Sequence, residues 1–330
     1  MSENKFHTVD LSSYSFLITG GAGFIGSNIT EYLLSHNARL VRVLDNLSTG
    51  FEKNISAFSC NPRFEFIQGD ISNIKDCIRA CEGIDFISHQ AALGSVPRSI
   101  EHPLNTHLSN CTGFINMLVA ARDSGVKNFV YASSSSVYGD EQTLPKKESK
   151  IGNPLSPYAV TKLTNELYAA NFVRVYGMKT IGLRYFNIFG PKQSPDGPYA
   201  AAIPLFLQSM FSNGDIYIDG DGSQTRDFTF IDNAVQANIK AIFCANENCF
   251  GKTFNIATGK NISVTELFNL LKEITGYKKS PSHRPVRKGD VKDSLADISL
   301  AQKYFDYSPV VSAGEGLKIT ADYFKINFKF

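Results

Sequence analysis

Hydrophobic positions in the first half of the chain fall into short runs rich in Ile, Val, Phe and Leu. They occupy 14–19, 39–44, 63–68, 84–89, 128–132 and 180–185, and each is followed by a helical or loop segment. Near-continuous apolar runs mark strands covered on both faces. The β-α-β alternation predicts a Rossmann-type, doubly wound α/β fold with a parallel sheet. Two longer helices are expected at 100–124 and 157–176. Ser156 is a plausible N-cap for the second, with Pro157 at its first position. Past Gly190 the pattern changes: Pro and Gly cluster, and the elements shorten. One more helix is expected at 263–275, where Ser263 and Glu266 make a capping box. This organisation predicts a cofactor-binding domain over 1–189, to which 232–258 return, and a smaller substrate domain over 190–330.

Composition narrows the function classes. The chain has 330 residues, 43% hydrophobic and 19% charged, which suits a globular protein and not a disordered one. Lys+Arg 33 against Asp+Glu 31 leaves a net charge of +2, without the basic excess of a nucleic-acid binder. No apolar run reaches the roughly 18 residues of a membrane span, and no leader-like segment opens the chain. The six cysteines form no C-x-x-C and the six histidines no H-E-x-x-H, so no metal site is expected. Reduced thiols and no targeting segment point to the cytoplasm.

The candidate chemistry starts at the first strand. It runs into Gly20-Gly21-Ala22-Gly23-Phe24-Ile25-Gly26, and a helical stretch follows. Glycines at 20, 23 and 26 allow a tight turn and a close backbone approach to a pyrophosphate at a helix N-terminus. The position between strand and helix separates this from an ordinary turn. Asp45 ends the second strand, where a carboxylate would accept from both adenosine ribose hydroxyls and repel a 2′-phosphate. NAD is therefore expected over NADP. Arg42 lies near in sequence with its orientation open. Asp70-Ile71 ends the third strand and would flank the adenine.

Tyr158 and Lys162 share one face of the helix opened by Pro157. A nearby ammonium favours the phenolate, which can act as a general base. Of the 14 tyrosines, only Tyr158 has a lysine four residues on. The serines 133–136 end the fifth strand, at the carboxyl edge where open α/β sheets bind ligands.

With these motifs goes a set in fixed order: Asp45-Asn46-Leu47, Gly69-Asp70-Ile71, His89-Gln90-Ala91-Ala92, Val137-Tyr138-Gly139, Arg184-Tyr185-Phe186-Asn187 and Arg226-Asp227-Phe228. Together they resemble the extended short-chain dehydrogenase/reductases, and within them the nucleotide-sugar 4-epimerases. The resemblance implies a catalytic triad of Ser134, Tyr158 and Lys162. Tyr158 would take the sugar 4-hydroxyl proton as the C4 hydride passes to tightly bound NAD, and Ser134 would hold the 4-oxygen. Lys162 would hold the nicotinamide ribose and depress the tyrosine pKa. The 4-keto sugar would then turn over and be reduced on its other face.

The resemblance also implies cofactor contacts from Gly20, Gly23, Phe24, Ile25, Gly26, Asp45, Asn46, Asp70, Ile71, Gln90, Ala91, Ala92 and Tyr185, with Asn110 organising the site behind Tyr158. Substrate contacts are implied for Ser95, Arg98, Ser134, Ser135, Ser136, Asn187, Ala201 and Tyr217, for the diphosphate ligands Arg226 and Arg287, and for Asp290 at the uridine ribose. Ser294 falls at the position that gates the pocket beside the sugar C2 substituent, and a serine leaves room for an acetamido group. Ser135 and Ser136 stand where related dehydratases and decarboxylases carry an acid, which disfavours dehydration. The chain is thus most similar to epimerases that interconvert UDP-N-acetylglucosamine and UDP-N-acetylgalactosamine. The alternatives are the uronic acid forms, with Arg98 as a possible carboxylate partner, or UDP-glucose and UDP-galactose. A non-catalytic NAD-binding scaffold is a more remote reading, and the complete triad argues against it. Resemblance further suggests a homodimer built by a four-helix bundle of the helices at 100–124 and 157–176.

Overall fold

The computed structural model describes residues 4–196, 200–286 and 292–328. Seven parallel strands form the central sheet. In chain order they are β1 (Ser15–Thr19), β2 (Leu40–Asp45), β3 (Phe64–Gln68), β4 (Phe86–His89), β5 (Asn128–Ser134), β6 (Thr180–Tyr185) and, after further elements, Lys252–Ile256. Between them lie the helices α1 (Phe24–Ser35), α2 (Ile74–Cys81), α3 (Val96–Glu101), α4 (Pro103–His107), α5 (Gly113–Asp123) and α6 (Pro157–Tyr176). Beyond β6 come β7 (Ile188–Phe189), α7 (Ala202–Phe211), β8 (Tyr217–Asp219), β9 (Thr225–Arg226), β10 (Thr229–Phe230) and α8 (Ile231–Ile242). Lys252–Ile256 is β11, followed by β12 (Ile262–Ser263), α9 (Val264–Thr275), β13 (Ser282–Arg284), α10 (Ser299–Phe305) and α11 (Ala313–Asn327).

The sheet order is β11-β6-β5-β4-β1-β2-β3. From β1 the chain steps outward to β2 and β3, then returns to β4 on the other side. The loops leaving β1 and β4 therefore diverge, and the crevice between them is where such sheets bind ligands. Alternation along each strand supplies two cores. Phe16, Ile18, Val41, Val43, Val130 and Ile181 pack with Ile29 and Leu33 of α1 and Ala234 and Ile239 of α8. Leu17, Leu44, Ile87, Phe129 and Tyr131 point the other way, onto Phe114, Met117 and Leu118 of α5 and Phe172 of α6.

The six sequence-derived strands are all present, and α6 starts and ends where expected. Ser156 Oγ accepts the Ala159 N–H at 3.1 Å, and Gly177 closes the helix at φ 67°. The capping box of α9 is also formed, with both Ser263–Glu266 hydrogen bonds in place. The single helix expected at 100–124 is not. His102, at φ −130°, separates α3 from α4, and a π-helical turn, Leu108–Thr112, links α4 to α5. Pro103 is the physical cause of the first break, because it has no N–H to continue a ladder and disfavours helical backbone at the residue before it. The π turn rotates Asn110 inward, as π-bulges at functional sites often do.

Arg42 turns away from the crevice. Its Nε binds Glu65 at 2.9 Å, and its Nη1 donates to the Ala80 and Glu82 carbonyls at 2.9 and 2.7 Å. Among the described residues no helix is long and apolar enough to cross a membrane.

Candidate active site

A first cavity opens at the crevice between β1 and β4. Gly20, Gly23, Asp45, Asn46, Ile71, Gln90, Ala91 and Ala92 line it. Gly20 has φ +67°, and a Cβ there would lie 2.7 Å from the Ala91 nitrogen. A Cβ on Gly26 would stand 2.3 Å from the Gly20 carbonyl oxygen. Only glycine lets this loop close on α1 and leave room at the helix N-terminus, whose free N–H groups suit an anion. Phe24 and Ile25 open α1 at this point.

Asp45 accepts the Ala22 N–H at 3.0 Å and the Leu47 N–H at 2.8 Å. Burial raises its pKa, and the two backbone N–H groups oppose the rise. A carboxylate has about four acceptor positions, so two remain for ribose hydroxyls. Asn46 Nδ2 donates to Asp70 at 2.8 Å, which joins the ends of β2 and β3 at the rim. These features fit a dinucleotide. Gly26→Ala should therefore leave the chain folded but purified without NAD. The check is the NAD released on acid denaturation, and wild-type NAD content would contradict the cradle.

Gln90 lines the same crevice, and Tyr185 lies behind it in a buried network. Gln90 Nε2 donates to Ser88 at 2.9 Å and to Asn238 at 3.0 Å, and the Tyr185 hydroxyl donates to Gln90 at 3.2 Å. Asn238 Nδ2 donates to the Tyr185 oxygen at 2.7 Å. Asn238, on α8, was not singled out from the sequence. It sits 150 positions from its partner Ser88, beyond the reach of any local pattern.

A second cavity begins at the carboxyl edge of β5. Ser95, Ser134, Ser135, Ser136, Tyr158, Asn187, Arg226 and Ser294 line it, with Tyr138 and Phe186 from the motifs quoted above and with Lys146 and Asp293, to which sequence reading gave no site role. The serine run is divided by strand alternation. Ser133 turns inward and donates to Glu166, whereas Ser134 faces the cavity and accepts the Ser136 N–H at 3.1 Å. Ser136 Oγ is buried with no protein partner among the described residues.

Burial raises the Tyr158 phenol, and a hydrogen bond with Ser134 opposes the rise. Burial lowers Lys162 to about 8. The lysine Nζ donates to the Ala132 carbonyl at 2.8 Å and lies 5.9 Å from the Tyr158 ring centroid. The ammonium is turned to a strand carbonyl, and Ser134 lies on the phenol side of the cavity. Asn110 ties the site from behind. It accepts the Leu93 N–H at 2.8 Å and donates to Thr161 at 3.1 Å, and Thr161 donates to the Tyr158 carbonyl at 2.8 Å.

A third cavity continues from the second through Ser95, Asn187 and Arg226, which line both, and reaches Ala201 and Tyr217. The two cavities measure about 330 and 530 Å³, room for an extended nucleotide sugar across both. Arg226 Nη1 donates to the Thr225 and Lys292 carbonyls at 2.8 and 3.0 Å, which fixes the guanidinium at the junction. Arg284, also missed from sequence, stacks 3.6 Å from the Tyr217 ring centroid. Ser294 is anchored by its N–H to the Thr225 carbonyl at 3.1 Å. Arg98, on α3, lines neither of these two cavities. Arg287 and Asp290 lie outside the described residues.

Residues 16–257 match the sequence signature of the NAD dependent epimerase/dehydratase family. The chain belongs to that family. Its cofactor is NAD. A putative UDP-glucose 4-epimerase of Methanocaldococcus jannaschii is 37% identical, over 94% of this chain and 98% of that protein. The solved UDP-N-acetylglucosamine 4-epimerase of Methanobrevibacter ruminantium, in complex with UDP-N-acetylmuramic acid, is 33% identical. It superposes with a TM-score of 0.90, covering 96% of this chain and 99% of that one. A variant of the UDP-glucuronic acid 4-epimerase of Bacillus cereus, solved with NAD, is 32% identical with a TM-score of 0.88, over 95% of this chain and 100% of that one. The two solved relatives share this fold and are named for different sugars, so the fold alone leaves the sugar open.

Proposed function

We propose that this family member is a UDP-sugar 4-epimerase that interconverts UDP-N-acetylglucosamine and UDP-N-acetylgalactosamine, working in the cytoplasm. The observation that carries this reading is the second cavity, which Ser134, Tyr158 and Ser294 line together. Residues 1–189 with 232–258 would hold the cofactor, and 190–330 would read the nucleotide sugar. Gly20, Gly23, Gly26 and Asp45 would hold NAD across the crevice, with Lys162 toward its nicotinamide ribose. When bound, NAD supplies a hydride acceptor at the sugar C4 and returns the hydride later.

The chain's own residues manage the proton and the orientation. Tyr158 takes the 4-hydroxyl proton at its phenolate oxygen, and Ser134 Oγ hydrogen-bonds the 4-oxygen as it becomes a carbonyl. Arg226, and Arg287 by resemblance, keep the diphosphate in place while the 4-keto sugar turns over. Tyr158 then returns the proton from the same oxygen. Ser135 and Ser136 cannot act as acids near neutral pH, so elimination is not favoured.

Ser294 leaves the cavity open for an acetamido group. Ser294→Tyr should cut turnover of N-acetylated substrates roughly 10-fold or more and spare UDP-glucose, in line with the discrimination a filled pocket supplies. Equal loss on both sugars would remove the gate assignment. A second reading, the uronic acid form, is favoured by Lys146. This buried cation lines the sugar cavity and donates to the Glu141 carbonyl. Side-by-side turnover of neutral and acidic substrates by wild type and Lys146→Met separates the two.

We also propose a homodimer. Leu104, Leu108, Val160, Leu167 and Val175, all on the segments 103–112 and 157–176, are exposed. That is an unusual amount of apolar surface for two neighbouring helical segments, and a two-fold axis would bury it. Light scattering at micromolar concentration should return twice the chain mass, and a monomer alone would rule the dimer out.

A further inference from the structure

Cys244 and Cys249 bracket the connection between α8 and β11, apart from every residue assigned above. Their Sγ atoms lie 3.1 Å apart and share a hydrogen bond. Both sulfurs sit 3.8 Å from the Tyr304 carbonyl oxygen. Cys249 is buried, and Cys244 is partly exposed. The intervening chain holds this arrangement by itself. Asn246 Oδ1 accepts the Asn248 N–H at 3.1 Å and caps the 3₁₀ turn Glu247–Cys249, which folds the second thiol back onto the first.

The contact sets the two thiols apart. It raises the Cys249 thiol, and Lys252 opposes that rise. The contact with Cys249 lowers the Cys244 thiol to about 7. No other cysteine combines a neighbour and access. Cys77 and Cys81 are buried thiols raised to about 12 by desolvation, Cys111 is buried, and Cys60 is exposed and alone. Thiolate character together with access is what directs thiol–disulfide exchange.

We infer that Cys244 and Cys249 form a dithiol modification site, closed to a disulfide by a low-molecular-weight disulfide such as glutathione disulfide. The Cys244 thiolate attacks one sulfur of the reagent, whose S–S bond breaks and releases one glutathione thiolate. Cys249 gives its proton to solvent and attacks the Cys244 sulfur. The mixed disulfide breaks, and the second glutathione leaves. The protein dithiol loses two electrons, and one glutathione disulfide becomes two glutathione thiols.

The test uses the full chain carrying NAD, incubated with excess glutathione disulfide, acid-quenched, alkylated and peptide-mapped. The peptide spanning both cysteines should lose two hydrogens, resist alkylation, and regain both alkylation sites after dithiothreitol. The Cys249→Ala protein should instead hold one glutathione on Cys244. The inference fails if the wild type accumulates glutathione on Cys244 without ring closure. It also fails if both thiols stay alkylatable while Cys60 reacts. The wild-type result stands alone should Cys249→Ala not fold.

Discussion

Tyr158→Phe should keep its NAD and its fold and epimerise about a thousand-fold more slowly, within the 10²–10⁴ range of general acid–base catalysis. The ring stays packed on α6, and only the oxygen that holds the proton is lost. This oxygen belongs to a side chain that lines the second cavity with Ser134, which opposes the effect of burial on the phenol. Ser134→Ala should cost less, since Tyr158 keeps its proton chemistry. The checks are initial rates by NMR, NAD content after denaturation and the unfolding midpoint. A Phe variant with near wild-type turnover would mean that another group is the base.

Glu166→Gln should destabilise the protein by about 3–5 kcal/mol, the usual cost of removing one partner from a buried ion pair. Glu166 lies one turn past Lys162 on α6 and is buried with Arg184. The guanidinium Nε and Nη2 donate to its two oxygens at 2.8 and 2.7 Å. Arg184 also reaches the Glu148 carbonyl at 3.2 Å and stacks 4.9 Å from the Tyr138 ring centroid. With glutamine in place, the guanidinium keeps its burial and loses its counter-charge. The pair clamps β6, and through Ser133 also β5, to the helix that carries Tyr158 and Lys162. The variant should therefore melt at least about 5 °C lower. An unchanged melting temperature would show that the clamp is not structural. Retained NAD in the surviving folded fraction would separate loss of stability from loss of the cofactor site.

The elements that sequence patterning located are those made by local chemistry. Strands β1 to β6 are apolar runs bounded by turn residues. The cap Ser156-Pro157 and the capping box Ser263/Glu266 act within one helical turn. The glycine loop is equally local, since Gly26 must clear Gly20 only six positions away. Pro103 did carry a signal for the break between α3 and α4, but the apolar periodicity on both sides masks it. The π turn at Leu108–Thr112 has no such mark.

What stayed hidden depends on contacts between distant segments. Asn238 enters the site only because α8 packs against β4 and β6. Lys146 and Asp293 meet at the second cavity because Lys146 pairs with the chain at Ala296. The orientation of Arg42 is set by Glu65 on the neighbouring strand. The Tyr158–Lys162 spacing gave the shared face correctly, yet could not show that the ammonium would turn to Ala132 and leave Ser134 as the partner of the phenol. Charge effects depend on orientation and solvation, which spacing alone does not carry.

The most direct test of the account is a proton NMR time course of UDP-N-acetylglucosamine with the purified protein and no added NAD. Signals of UDP-N-acetylgalactosamine should grow until the mixture reaches equilibrium, with no net oxidation and no lag, because the cofactor is carried by the protein and restored at each turnover. If a protein shown to contain NAD leaves the substrate unchanged, or yields an eliminated 4-keto product, the assignment as an epimerase of N-acetylated UDP-hexoses is wrong.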